Sequence, residues 1–340
     1  MGTQRATREP LHPIWRRRLD GKFAATCFQP LDHRLNVAAD LKLNEAFEFF
    51  TRLGLPYFCF HDVDVMAQAG TGVIGADGLI LTIGYLILEA DSILVLTPDG
   101  RVFPAVAIGF DHATGFGLLR SIVPLDAKPI ALGSSARLGE REPVLIASHT
   151  GANDVSFAWV VSQRPFSGNW EYMLDTALWT SPPTMNWSGA GLIDREGRLV
   201  GIGSLIVRDA TGEEPRLPGN LFVPIDALKP ILAEMIADGR RKGPQRPWLG
   251  VAADELQGRL VVSRVSPGGP AEEAGVQVGD IILGVAGEAV KTQGEFYRKL
   301  WTGRSAGADV SLRLLQGADV RELNVRSIDR IEYFRPRTTY

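Results

Sequence analysis

The apolar residues of this chain come in short runs separated by tight-turn signals from about residue 21 onward, with no helical period between them. Asp77-Gly78 stands between the runs 71–75 and 79–83, Pro98-Asp99-Gly100 between 92–96 and 101–107, and Arg195-Glu196-Gly197 between 190–193 and 198–203. Such dipeptides supply the positive φ that hairpin turns need. Strands joined this way pair with their neighbours in antiparallel fashion and close into a barrel or stack as a sandwich. The 37 glycines and 21 prolines fit a chain of many strands and turns, so the fold class reads as predominantly all-β.

The pattern changes at residue 226, where Leu228, Ile231, Leu232 and Met235 recur at helical spacing, with Asp226 as N-cap and Gly239 as C-cap. Residues 239–247 (GRRKGPQRP) are polar, basic and rich in Gly and Pro, and read as a linker. A smaller α+β module follows over 248–328. Strands are expected near 259–265, 279–285, 309–315 and 319–326, with helices near 270–274 and 293–302. Residues 1–20 read as an extended basic arm, 21–238 as the main β domain, and 329–340 as a tail.

A formal net charge of -3 gives no basic excess for nucleic acid and no acidic excess for disorder. No apolar stretch is long enough to cross a bilayer, and residues 23–28 are too short for a signal segment. The expectation is a cytoplasmic protein, or a periplasmic one if a leader has been trimmed. Cys27 and Cys59 read as two buried thiols, with one disulfide or a redox pair as the alternative. No Cys/His spacing suits zinc and no glycine loop suits a phosphate, so no cofactor or metal is expected.

Three blocks carry a family resemblance: residues 71–100 (TGVIGADGLILTIGYLILEADSILVLTPDG), 220–251 (NLFVPIDALKPILAEMIADGRRKGPQRPWLGV) and 265–284 (VSPGGPAEEAGVQVGDIILG). In order and register they resemble an HtrA-type (DegP-like) trypsin-fold serine protease with a PDZ domain. The resemblance implies two six-stranded antiparallel barrels, an active site in the cleft between them, and a small α+β PDZ domain. It also implies a homo-trimer built through the N-terminal arm, for which Trp15, Phe23 and Phe28 are candidate contacts.

The chemical positions depart from the family pattern. A serine nucleophile needs a base, and the base needs an acid to orient it. In residues 81–87 (LTIGYLI) the histidine slot holds Tyr85, a phenol that is protonated at neutral pH with an ordinary pKa of about 10. In residues 115–119 (GFGLL) the aspartate slot holds Gly115, and the nearby Asp111 matches a non-catalytic aspartate. In residues 186–190 (NWSGA) Ser188 keeps the serine slot, while Asn186 replaces a glycine that donates to the oxyanion. Asn tolerates left-handed backbone angles, so the loop geometry is expected to survive. His12, His33, His61, His112 and His149 read as solvated loop histidines. Loss of a triad base costs on the order of a million-fold in rate.

The PDZ resemblance makes Trp248-Leu249-Gly250-Val251 the carboxylate-binding loop, with Phe296 and Leu300 on one helical face lining the peptide groove. Binding pieces are present where chemical pieces are missing. The reading is therefore a pseudoprotease that holds peptide or protein C-termini as a scaffold or adaptor. Two alternatives stay open: a serine hydrolase using Ser188 with an unorthodox or partner-supplied base, and a structural subunit that binds no peptide.

Overall fold

The computed structural model describes residues 25–28, 71–75, 78–88, 90, 92–97, 100–125, 128–148 and 155–334 of the chain. The expected arm with Trp15 and Phe23, Cys59, the histidines at 12, 33, 61 and 149, and the end of the tail lie outside the described residues. Cys27 falls on the first strand.

Six strands close the first barrel. They are β1 (Ala25–Phe28), β2 (Thr71–Ile74), β3 (Leu79–Ile83), β4 (Ile93–Leu96), β5 (Val102–Phe110) and β6 (Phe116–Ser121), in the order β1-β2-β3-β6-β5-β4. Six more close the second: β7 (Pro143–Ala147), β8 (Val155–Gly168), β9 (Tyr172–Ser181), β10 (Gly191–Ile193), β11 (Leu199–Val207) and β12 (Gly219–Pro224), in the order β10-β11-β12-β9-β8-β7. Alternation sets their inward faces. Val144 and Ile146 on β7, and Ala158 and Val160 on β8, point into a core shared with Leu178, Leu192 and Phe222. The described turn glycines Gly78, Gly100 and Gly197 stand at φ 70°, 83° and 77°.

Two expectations about the helix after β12 need correction. A 3-10 turn spans Ile225–Ala227, and the α-helix, α1, begins only at Leu232 and runs to Asp238. Pro230 explains the delay, because the residue before a proline is pushed away from the α region and proline offers no N–H to the ladder. Asp226 is therefore not its N-cap. Its carboxylate accepts from Ser134 Oγ and Ala136 N instead, and pairs with Lys229. Gly239 does close the helix, at φ 75°.

The chain divides into two compact units. The first holds both barrels and α1. The second comprises Asp111–Thr114, Arg164–Ala177 at the tip of the β8–β9 hairpin, and everything from Arg240 onward. Its sheet runs β13 (Val251–Leu256), β14 (Arg259–Val265), β15 (Ile281–Val285), β17 (Asp309–Gln316) and β18 (Asp319–Arg326), with β16 (Glu288–Ala289) paired to β15. Three helices accompany it: α2 (Pro270–Glu273), α3 (Gln293–Trp301) and α4 (Arg330–Phe334). Thr292 caps α3 by accepting from Glu295 N, and Glu295 reaches back to Lys291 N. Residues 330–334, expected as tail, form α4 instead, and Tyr333 packs its ring 4.6 Å from that of Trp248.

The turn before β10 is held by steric necessity. Gly189 lies at φ 72°, and a Cβ there would sit 1.9 Å from the carbonyl oxygen of Thr71. Gly189→Ala is therefore expected to lower stability by at least ~2 kcal/mol, read as a fall in the urea midpoint with m unchanged.

Candidate functional site

Ser188 stands in a turn fixed on both sides by backbone bonds. Its carbonyl accepts from Thr71 N at 2.8 Å, Gly189 N donates to Gly203 O at 2.9 Å, and Ala190 N donates to Trp187 O at 3.0 Å. Upstream, the buried amide of Asn220 accepts from Thr184 N and donates to Thr184 O, pinning the chain that enters the turn. Sequence reasoning missed Asn220, whose position in the run 219–224 carries no signal beyond one polar residue among apolar neighbours.

Tyr85 reaches this turn from the first barrel. It sits on a 3-10 turn (Gly84–Leu86) that follows β3, and Gly84 N donates to Gly115 O at 2.7 Å. The Tyr85 hydroxyl lies 2.6 Å from Ser188 Oγ and donates to Ser204 O at 2.9 Å. A phenol has one proton. With that proton on Ser204 O, the phenol oxygen accepts from the Ser188 hydroxyl. The serine thus has a hydrogen-bond partner in the base position, but one that is no proton acceptor while neutral. Tyr85 is 42% exposed and Trp187 half-buried, so neither ring is fully sunk in the barrel core.

Gly115, the residue before β6, stands at φ 83°, a conformation that strains most residues with a Cβ. The expected left-handed Asn186 is not found. Asn186 is absent from the positive-φ residues, and its N–H points to Thr184 Oγ1 at 3.4 Å. The asparagine takes a backbone conformation outside the left-handed region.

In the second unit the N–H groups of Leu249, Gly250 and Val251 converge on one carboxylate, that of Glu171. Gly250 and Val251 donate to Oε1 at 2.6 and 2.8 Å, and Leu249 donates to Oε2 at 3.0 Å. Trp248 flanks the loop, and Gly250 is at φ 83°. Phe296 and Leu300, expected to line the groove, are 1% and 0% exposed and belong to the core beneath the sheet. Two other buried α3 side chains make polar contacts: Gln293 Nε2 donates to Ala253 O on β13, and Tyr297 bonds to the hairpin tip. The i, i+4 spacing of Phe296 and Leu300 identifies a shared face but does not say how deep that face sits.

Burial pushes the Glu171 carboxyl up to about 7, against the downward pull of the three loop N–H groups and of Arg330. A cavity of about 150 Å³ adjoins it, lined also by His112, Arg241, Arg246, Trp301 and Asp329. His112 is not a solvated loop residue: burial, then Arg330, holds it down near 3, so it stays neutral. Burial raises the Tyr297 phenol, which stays neutral as well.

Comparison with known proteins agrees with this architecture. Residues 70–202 match the trypsin-like peptidase domain and 247–326 match the PDZ domain. The chain is 32% identical over 232 residues to serine endoprotease DegS of Haemophilus influenzae, covering 63% of this chain and 64% of the relative. In its two domains it resembles the HtrA type. DegS of Escherichia coli is 30% identical over 246 residues, covering 64% of each chain. A probable periplasmic DegP-like endoprotease of Hahella chejuensis is 28% identical over 297 residues, covering 82% of this chain and 61% of the relative. The chain thus spans just under two thirds of the length of these relatives. Among solved structures, the HtrA-type protease AlgW with a decapeptide superposes at a TM-score of 0.52, with 20% identity over 91% of this chain and 96% of that one. A serine endoprotease from Yersinia pestis gives 0.51, with 21% identity over 92% and 96%. At such identities the likeness is one of fold.

The raised Glu171 value carries a pH dependence. A carboxyl with a higher pKa when buried stabilises its contact fully below its ordinary value of 4.5 and loses that contribution as pH rises through about 7. Hydrogen-exchange protection of the Leu249, Gly250 and Val251 amides, corrected for intrinsic rates, is expected to fall across this window. Glu171→Gln should remove the pH dependence.

Proposed function

We propose that this chain is an HtrA-type pseudoprotease that binds peptide or protein C-termini through its PDZ domain and serves as a scaffold or adaptor. The observation that carries the reading is the set of three N–H groups from Leu249, Gly250 and Val251 gathered on one carboxylate. A loop that holds a carboxylate in this way has the chemistry to hold a terminal one. β13 is the first strand in the sheet order, so an added strand has an edge to pair with. On the chemical side, Ser188 is bonded to a phenol, and the residue before β6 has no side chain to orient a base.

A second reading is favoured by the same short bond. If Tyr85 loses its proton, the phenolate 2.6 Å from Ser188 becomes a base, and Ser188 becomes a nucleophile. The two readings separate in one assay. Labelling by a fluorophosphonate probe and casein cleavage are measured on wild type, Ser188→Ala and Tyr85→Phe between neutral pH and pH 10. The pseudoprotease reading expects no labelling and no cleavage at neutral pH. Labelling that rises about tenfold per pH unit toward the phenol range near 10, and that vanishes in both variants, would establish the hydrolase instead.

A further inference from the structure

Glu171 occupies the atoms that a peptide carboxylate would need. It is the last residue of the Gly168–Glu171 tip joining β8 to β9, and it is 7% exposed. Its backbone stands at φ 56°, where a side-chain-bearing residue is seldom found. The tip is tied down on several sides. Tyr297 Oη on α3 donates to Gly168 O at 2.7 Å and accepts from Glu171 N at 3.0 Å. Asn169 Nδ2 donates to Asp254 Oδ1 on β13 at 3.0 Å, and Arg330 Nη1 on α4 donates to Trp170 O at 3.1 Å. Anchors to β13 and α3 place the tip along the strand edge and helix where an added strand would lie.

From this geometry we infer that Glu171 is an internal ligand of the carboxylate loop, closing the peptide site until the hairpin tip lifts away. The inference rests on the peptide-binding reading above and adds its regulation. Each loop N–H has one proton to give. A terminal carboxylate and Glu171 therefore compete for the same three donors, and binding one requires releasing the other. Apparent peptide affinity is then the intrinsic affinity multiplied by the fraction of molecules with the tip lifted. Either a peptide of sufficient affinity or a partner that grips the tip opens the site, and peptide binding in turn frees the tip.

The test measures binding by fluorescence anisotropy to the full chain as wild type, Glu171→Ala and Glu171→Gln. The probe is a fluorescein-labelled decapeptide pool with a randomised interior and a free C-terminal Val, Leu or Phe, and the control is the same pool with a C-terminal amide. Glu171→Gln keeps the shape of the tip should Glu171→Ala fail to fold. Tighter binding of the free-acid pool by about tenfold or more in a Glu171 variant, with the amidated pool failing to bind, is the expected result. Equal affinity in wild type and both variants overturns the internal-ligand inference while the peptide-binding reading stands. No binding by any of the three proteins overturns the peptide-binding reading and this inference with it.

Discussion

The contact between Thr71 and the turn Trp187–Gly189 holds the first unit in register. Thr71 lies on β2 of one barrel, and the turn leads into β10 of the other. The Thr71 N–H bonds to Ser188 O, while the Thr71 carbonyl accepts from Thr82 Oγ1 and leaves no room for a Cβ at position 189. On its other side, Gly203 of β11 is pressed against Trp187 O, where an added Cβ would fall at 1.9 Å. Backbone meets backbone on both faces of the turn, and a single missing methylene at each glycine makes that approach feasible. Ser188 and Tyr85 come within hydrogen-bond distance because the two barrels are fastened here.

The second unit is organised around a different constraint, the cost of leaving polar groups buried without partners. Three N–H groups at the start of β13, a phenol on α3 and a guanidinium on α4 converge on three residues of one hairpin tip, Gly168, Trp170 and Glu171. Each satisfies a donor or acceptor that would otherwise lose its hydration without compensation. The carboxyl in the centre is held by opposing forces: burial disfavours its charge, while the loop and Arg330 favour it. That balance places its titration close to neutrality.

Much of the fold was legible because it rests on local signals. The turn glycines at 78, 100 and 197 and the β14 and α3 boundaries follow from residue chemistry within a few positions of chain. What was illegible depends on contacts between distant segments. β13 is not among the expected strands because its residues, Val251–Leu256, alternate weakly. α4 was read as tail because its aromatic residues pack on Trp248, some 80 positions earlier, a contact with no local signature. At the site, Ser188, Tyr85, Gly115 and the 248–251 loop were legible as positions, yet the bond between Tyr85 and Ser188 was not. Glu171 left a single trace in the sequence, an acidic residue between two aromatics at a chain reversal. A left-handed glutamate is not something propensity anticipates.

The steric demands on the serine turn and its chemical demands fall on different residues. At 189 and 203 a replacement side chain meets a carbonyl oxygen, whereas Asn186 is exposed. Changes at the exposed positions 85 and 186 therefore leave the fit of the barrels in place, whereas changes at the two glycines do not. In a lineage of such chains, an outline of the turn can outlast any particular use of it. A Gly-bearing serine loop is thus a record of how two barrels fit together, and the residues around it must be consulted separately for whether anything happens there.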